Sequence, residues 1–280
     1  MRVDAATSPR LRLLTYNVHR GRSAIRGHDI CERVAKILDF SQADIFCLQE
    51  VWQHDGFDRH QFEAHLCDQR WPHRVFVKTA TFAAGTQGNA VVSRTPIVAW
   101  NYLDISVAKL EPRGILHAAV QFGDATVQVF CVHFGLFGYE RRRQAALLMR
   151  FIEEKIPPDA PIVVAGDFND WTHRLAHRFT KEFGFSEVIG RTGGLPGRTY
   201  PSFMPLLRLD RIYYRNAHLL NARIVSERSA LRLSDHLPIE ADFELPLTCE
   251  NAVVLANGGQ SLDCPRFGDS QVTDAISSTS

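Results

Sequence analysis

Cysteine is scarce in this chain and never paired at short spacing. The six cysteines, Cys31, Cys47, Cys67, Cys131, Cys249 and Cys264, form no CxxC pair, and no HExxH segment occurs. A zinc site, which depends on those spacings, therefore ranks low. Cys47 and Cys131 lie inside apolar strand-like runs, where reduced core thiols are expected. A GxSxG nucleophile elbow, a GxxxxGK[ST] phosphate loop and a GxGxxG dinucleotide fingerprint are also missing, which leaves their reaction classes without the residues they need. No stretch approaches the roughly 18 apolar residues that span a bilayer as a helix. The opening MRVDAATSPR has no apolar signal-peptide core, so the expectation is a soluble cytoplasmic protein. Charge of either sign is not in excess: 32 Lys and Arg face 31 Asp and Glu, for a formal charge of +1. Strong nonspecific affinity for a polyanion needs many basic contacts, so any phosphate site must be local.

What is present is the composition of a globular domain, 280 residues with 45% hydrophobic and 22% charged side chains. That length allows one large core or two small ones. LRLLTY at 11–16 and DIFCLQE at 44–50 read as strands on either side of a helix from Asp29 to Phe40, with Ile30, Val34, Ile37 and Leu38 on one face. Further strand-like runs at 74–78, 89–93, 96–105, 114–122 and 126–132 are broken by short Gly or Pro signals. A helix from Tyr139 to Ile156 is stopped by Pro157 and Pro158, with Leu147, Leu148, Phe151 and Ile152 at helical spacing. PIVVAG at 161–166 is a strand, His173 to Phe183 a second helical stretch, and strands follow at 209–214, 222–225 and 237–245. Strands interleaved with helices, some in hairpin succession, predict a mixed α/β layered domain. No internal repeat is found. The expected organisation is an N-terminal extension at 1–10, a catalytic-size domain at 11–245 and a flexible tail at 246–280, whose last dozen residues are rich in Ser and Thr.

Polar residues directly after apolar strand runs project into the mouth of an α/β domain. Asn17, Glu50, His133, Asp167 with Asn169, and Asp235 with His236 next to LPIEADF occupy such places, and Asp210 lies inside LRLDRIYY. Each alone has a structural explanation: a turn for Asn17, helix caps for Glu50 and Asp167, satisfied structural histidines for His133 and His236, a pair with Arg211 for Asp210. Their recurrence argues for a site. Hard divalent cations prefer carboxylate and amide oxygens, which makes Glu50, Asn17 and Asp235 candidate metal ligands. A histidine held by a carboxylate supplies an oriented acid or base, and His236 with Asp210 is the candidate pair.

Read together, TYN (Asn17), LQE (Glu50), GNAVVSR (Asn89), VHF (His133), GDFND (Asp167, Asn169), LDRIY (Asp210) and SDH (Ser234, Asp235, His236) run in one order from residue 11 to about 245. The set resembles the endonuclease/exonuclease/phosphatase superfamily of DNase I-like enzymes, and is most similar to compact bacterial members of uncertain substrate. The resemblance implies a four-layered α/β sandwich, two mixed β-sheets face to face with helices outside, that hydrolyses phosphoesters with Mg²⁺ or Mn²⁺. It implies Glu50 and Asn17 at the metal with Asp235 beside it, Asp167 and Asn169 positioning the attacking water and the phosphoryl oxygens, His236 as the catalytic histidine oriented by Asp210, and His133 as a second active-site histidine. Asn89 and Arg113, the latter in EPRGILHA, are candidate contacts to the substrate phosphate; for Arg113 the alternative is a surface pair with Glu111. His19 stands where abasic-site endonucleases of the superfamily tend to carry an acidic residue, which counts against an abasic-site role.

The reading is a metal-dependent phosphodiesterase, nuclease-like, with a phospholipid or inositol-phosphate hydrolase as the alternative and a noncatalytic binding module as the second. The partner is then a phosphodiester substrate, nucleic acid or a phospholipid head group; nothing points to a protein partner. The nuclease reading expects basic and aromatic residues around the site, from Trp52, His54, Arg59, Arg141, Arg142, Arg143 and Trp171; the lipid reading expects an exposed apolar loop, at 81–84 or 202–207. The stretch RTGGLPGRT reads as a plain mobile loop. The sequence leaves open whether Asp167 or His236 takes the proton, and whether one metal or two are bound.

Overall fold

The computed structural model describes residues 8–21, 31–54, 70–83, 85–107, 110–189, 197–226 and 233–246. Arg59, Gly193, Gly194 and the expected tail from residue 247 onward lie outside them.

Two six-stranded sheets form the centre of the molecule. The first contains β1 (Arg10–Asn17), β2 (Ile45–His54), β3 (His73–Phe82), β4 (Gly85–Ser93), β11 (His218–Ile224) and β12 (Ile239–Glu244), in the order β11-β12-β1-β2-β4-β3. The second contains β5 (Ile97–Asp104), β6 (Gly114–Phe122), β7 (Ala125–His133), β8 (Ile162–Asp167), β9 (Ser186–Glu187) and β10 (Asp210–Arg215), in the order β5-β6-β7-β8-β10-β9. In each sheet the central pair is parallel, β1 with β2 and β7 with β8, and all other neighbours are antiparallel. A parallel pair needs a crossover, and a helix follows the first strand of each: α1 (Cys31–Ser41) and α2 (Gly138–Lys155).

Alternation of side chains along the strands explains the layers. Leu11, Leu13, Cys47 and Val91 of the first sheet meet Leu116, Val129, Cys131 and Ile212 of the second in the inter-sheet core. The intervening residues face outward: Leu14, Phe46 and Leu48 toward Ile37 and Leu38 of α1, Phe130, Val132 and Val164 toward α2. The result is a four-layered α/β sandwich, helices outside two mixed sheets. Cys47 and Cys131 are buried free thiols.

Three local features differ from the sequence reading. The buried face of α2 is Ala145, Leu148, Met149 and Ile152, whereas Leu147 is exposed, because the helix phase is set one residue away from the densest apolar run. The helical stretch expected from His173 to Phe183 is present, but it changes character along its length, an α-turn, α3 (Arg174–His177), running on into a π-turn at Arg178–Glu182. Strand β2 does not end at Glu50 but continues to His54 through a bulge.

Candidate active site

The carboxyl ends of the two parallel pairs open onto one mouth. On the second sheet His133 and Asp167 are register partners at the last positions of β7 and β8, and Asp210, the first residue of β10, pairs with Asp167. On the first sheet Asn17 ends β1, with Gln49 as its register partner. Gln49 is fully buried, its amide donating to Cys47 O at 3.0 Å and Thr15 Oγ1 at 3.2 Å. A strand of strict period two would then turn Glu50 away from the mouth. The bulge prevents this: between Leu48↔Ala90 and Val51↔Gly88 the two residues Gln49 and Glu50 oppose the single Asn89, and Glu50 takes a left-handed φ of 55°.

Asn17 joins the two sheets, with Nδ2 3.3 Å from Glu50 Oε1 and 3.3 Å from Asp167 Oδ2. Its own Oδ1 accepts the His19 N–H at 3.1 Å. His236 Nδ1–H donates to Asp210 Oδ2 at 2.7 Å, and its Nε2 stands 3.7 Å from Asp167 Oδ2. His133 presents its Nε2 to the same Asp167 oxygen at 3.7 Å and to Glu50 Oε1 at 4.0 Å. Arg113 is buried, donating to Glu111 Oε2 at 2.8 Å with Nη1 3.4 Å from His133 Nδ1, so the pairing with Glu111 and a place at the site coexist. A donor at Nδ1 leaves the proton of neutral His133 on Nε2, facing the mouth.

Asn169, at a left-handed φ of 49°, donates one amide hydrogen to Phe134 O at 2.9 Å, and its N–H binds Asp167 Oδ1 at 2.9 Å. Asn89 donates to Gly114 O at 2.9 Å, bridging β4 and β6; its amide nitrogen thus fixes the backbone next to Arg113. Asp235 lies at the edge, 3.2 Å from His19 Nδ1.

Burial and charge act oppositely on the two buried histidines. Burial depresses the His133 pKa well below its usual value, and Arg113 and His236 add to the effect. Burial would also lower His236, but Asp210 and Asp167 outweigh it and raise the pKa to about 10. Burial, with a contribution from Asp210, lifts Asp167 to about 6 against the opposing pull of His236 and two hydrogen bonds. Asp235 is held low: burial raises it, and the bond from His19 with the charges of His236 and His19 more than compensates.

The donor set suits a hard cation. Glu50, Asp167 and Asp210 crowd the same mouth, and Asp210 Oδ1 is buried without a hydrogen-bond partner among the described residues. Asp167, Asp210 and His236 offer ligand atoms within 4.8 Å of one another. The 2.7 Å His236–Asp210 bond already uses two of those groups, so the carboxylate of Glu50, steadied by the Asn17 amide at 3.3 Å, suits an Mg²⁺-like ion better.

One site residue, Thr199, escaped the sequence reading, and Ser234 was named in SDH without a role. Thr199 is fully buried and its hydroxyl donates to Asp210 Oδ2 at 2.5 Å; it belongs to the stretch read as a plain loop, and no local signal marks it. Ser234 Oγ donates to Asn17 O at 2.7 Å and accepts the His236 N–H at 3.2 Å, tying the histidine to β1. Its signal was its place in SDH. Of the residues proposed to flank a nucleic acid, Trp52 is buried against Phe82, whereas Arg141 is buried with its guanidinium 4.6 Å over the exposed Trp171 and is followed by the exposed Arg142 and Arg143.

Comparison with known proteins agrees with this geometry. The model of the Endonuclease/Exonuclease/phosphatase family matches residues 14–236. The chain is 35% identical over 244 residues to the uncharacterized protein YbhP of Escherichia coli K12, covering 84% of this chain and 96% of YbhP. In three dimensions it is similar to the Bacteroides thetaiotaomicron mannosyl-6-phosphatase Bt3783, at TM-score 0.66 and 18% identity over 83% of this chain and 99% of that one. It is likewise similar to D. rerio TDP2 complexed with single-strand DNA product, at TM-score 0.65 and 18% identity over 84% and 99%. A match across most of the chain, centred on strands that carry the converging polar residues, means that this protein belongs to the endonuclease/exonuclease/phosphatase family.

Proposed function

We propose that the protein is a divalent-metal-dependent phosphodiesterase. The observation that carries the reading is the convergence on Asp167: Asn17 Nδ2 and the Nε2 atoms of His133 and His236 all face its Oδ2, at 3.3, 3.7 and 3.7 Å. Such a carboxylate, flanked by donors and closed off from bulk water, is placed to orient a water molecule and accept its proton. His236, held by Asp210, has its Nε2 free for a phosphoryl oxygen, and neutral His133 adds a second donor. Arg113 supplies positive charge behind His133. Glu50, oriented by the Asn17 amide and with Asp235 beside it, would hold Mg²⁺ or Mn²⁺, which when bound neutralises charge on the phosphate and the leaving oxygen.

The families of the structural neighbours support a phosphoester as the substrate class, one being described as a mannosyl-6-phosphatase and another as bound to a DNA product. The test is hydrolysis of bis-p-nitrophenyl phosphate with Mg²⁺ or Mn²⁺. Turnover abolished by EDTA and reduced roughly 10²–10⁴-fold in His236→Ala is the expected outcome. Absence of any metal-dependent turnover would instead favour a binding module that keeps the fold.

A further inference from the structure

More than half of the large apolar side chains exposed among the described residues gather beside the mouth. Leu136 and Phe137 follow β7, Trp171 follows β8, and Phe203, Met204 and Leu206 come from the hairpin before β10. These segments form one surface. Arg141 donates to Leu136 O at 2.6 Å and stacks 4.6 Å over Trp171, while Trp171 shares with Leu206, Leu207 and Arg208 a cleft of about 350 Å³.

The exposure is imposed by the fold. The hairpin is closed by Thr199 N–H to Leu207 O and Leu207 N–H to Tyr200 O, both 2.8 Å, and Ser202 is bonded to Asp235 O and Ser234 O at 2.8 and 2.6 Å. Phe203 and Met204 are thereby held 60% and 55% exposed, while at the base Tyr200 lies 5.0 Å from the His236 ring. An apolar tip fixed to the catalytic histidine is aimed at something.

Charge narrows the choice. Across 134–143, 171–178 and 197–208 the one carboxylate is Glu140, and it is buried, bonded to Phe137 N–H and Gln144. Arg142, Arg143, Arg174 and Arg198 are exposed on the same segments. Arg208 and Arg178 of these segments are matched by Glu187 and Glu182, but in a chain of net charge +1 the pairing of aliphatic and aromatic tips with the exposed Arg142, Arg143, Arg174 and Arg198 is a local construction. Leucine and methionine do not stack on bases, but they enter the acyl boundary of a bilayer while arginines meet anionic head groups.

We propose that this face seats on the surface of an anionic bilayer, bringing the mouth to phosphoesters of the head-group layer. The docking stands on the patch alone; the statement about its substrate rests on the hydrolase reading. The full chain is floated with vesicles of phosphatidylglycerol and phosphatidylcholine, and with phosphatidylcholine alone. It should partition onto the anionic vesicles, at least ~10-fold less so as Phe203→Ser/Met204→Ser, and with a lower salt sensitivity as Arg142→Gln/Arg143→Gln. Wild-type protein that stays unbound at low salt, or binding that neither variant weakens, overturns the proposal. A Phe203-dependent affinity for a single-stranded oligonucleotide without vesicle binding reassigns the face to nucleic acid, and self-association lost in the double variant reassigns it to a second copy. Turnover of bis-p-nitrophenyl phosphate in the same preparations separates the two readings: turnover without flotation sinks the docking alone, flotation without turnover sinks the hydrolase alone.

Discussion

The two sheets share one sequence of strand directions, antiparallel on both sides of a central parallel pair, yet they bring their carboxylates to the mouth by different means. In the second sheet both strands of the pair simply stop: His133 and Asp167 are opposite each other at the ends of β7 and β8. In the first sheet β2 runs on to His54, and Glu50 reaches the mouth only because a bulge opposite Asn89 adds a residue and puts its backbone in the left-handed region. A strand end is compatible with ordinary backbone geometry. A bulge stores local strain and must be held by what surrounds it, here Asn17 and the β4 pairing.

The division of labour can be broken most sharply through activity. Asp167→Asn and His236→Ala, on the acid-base side, should each lower kcat/KM by roughly 10²–10⁴ without relief from added metal. Glu50→Gln, on the first sheet, should lose activity that rising Mn²⁺ partly restores. A metal titration of the three variants decides the matter; equal rescue of all of them would erase the distinction between the sheets.

Next in size is the close contact inside the second sheet's parallel pair. A Cβ on Gly166 would stand 1.9 Å from Val132 O, and its φ is 150°. Gly166→Ala should cost roughly 3 kcal/mol or more in urea unfolding. At Gly123, in the β6–β7 turn with φ 57°, an added Cβ meets nothing within 4 Å, so Ala there should cost only the ~1 kcal/mol of a left-handed backbone.

A histidine on the outer face of the second sheet sharpens the contrast between mouth and scaffold. His117 is buried between Gln128 Oε1 at 2.8 Å and Asn101 Nδ2 at 3.2 Å and stacks on Phe130. With no carboxylate to offset burial, its pKa falls to about 4. The unfolded chain therefore takes up a proton near pH 6.5 that the folded one refuses. Stability from this group is intact above pH 6.5 and is lost as pH falls toward 4, by an amount on the order of 3 kcal/mol. His117→Gln should flatten that limb of the stability profile measured by denaturant titration. The smallest effect concerns the bulge itself: Glu50→Gly, inactive, should unfold at slightly higher urea, a gain of up to ~1 kcal/mol from relief of the left-handed side chain.

The strands were legible because alternation and apolar runs report burial directly, as at PIVVAG and ATVQVFCV. The polar residues at their ends were legible for the same reason. Arg141 was not: three consecutive arginines at a helix start look equally solvated, and only the packing of the β7–α2 turn buries the first beneath Trp171. Thr199 was invisible because its importance lies in a hydrogen bond to a residue 11 positions away.

By itself, the order of apolar runs and breaks determined that this chain makes a mixed α/β layered domain, since strands and helices with alternating buried faces must stack in layers; the sandwich of two facing sheets followed from the family resemblance. That order also determined which polar types stand at strand ends. Only the tertiary structure decided that Glu50 faces the mouth, that Asn17 spans the two sheets, and that His236 carries Asp210 on one nitrogen. Those outcomes depend on a bulge, on the facing of two sheets and on a contact across 26 residues, and distances of that kind are set by the packing of the whole core rather than by any local pattern.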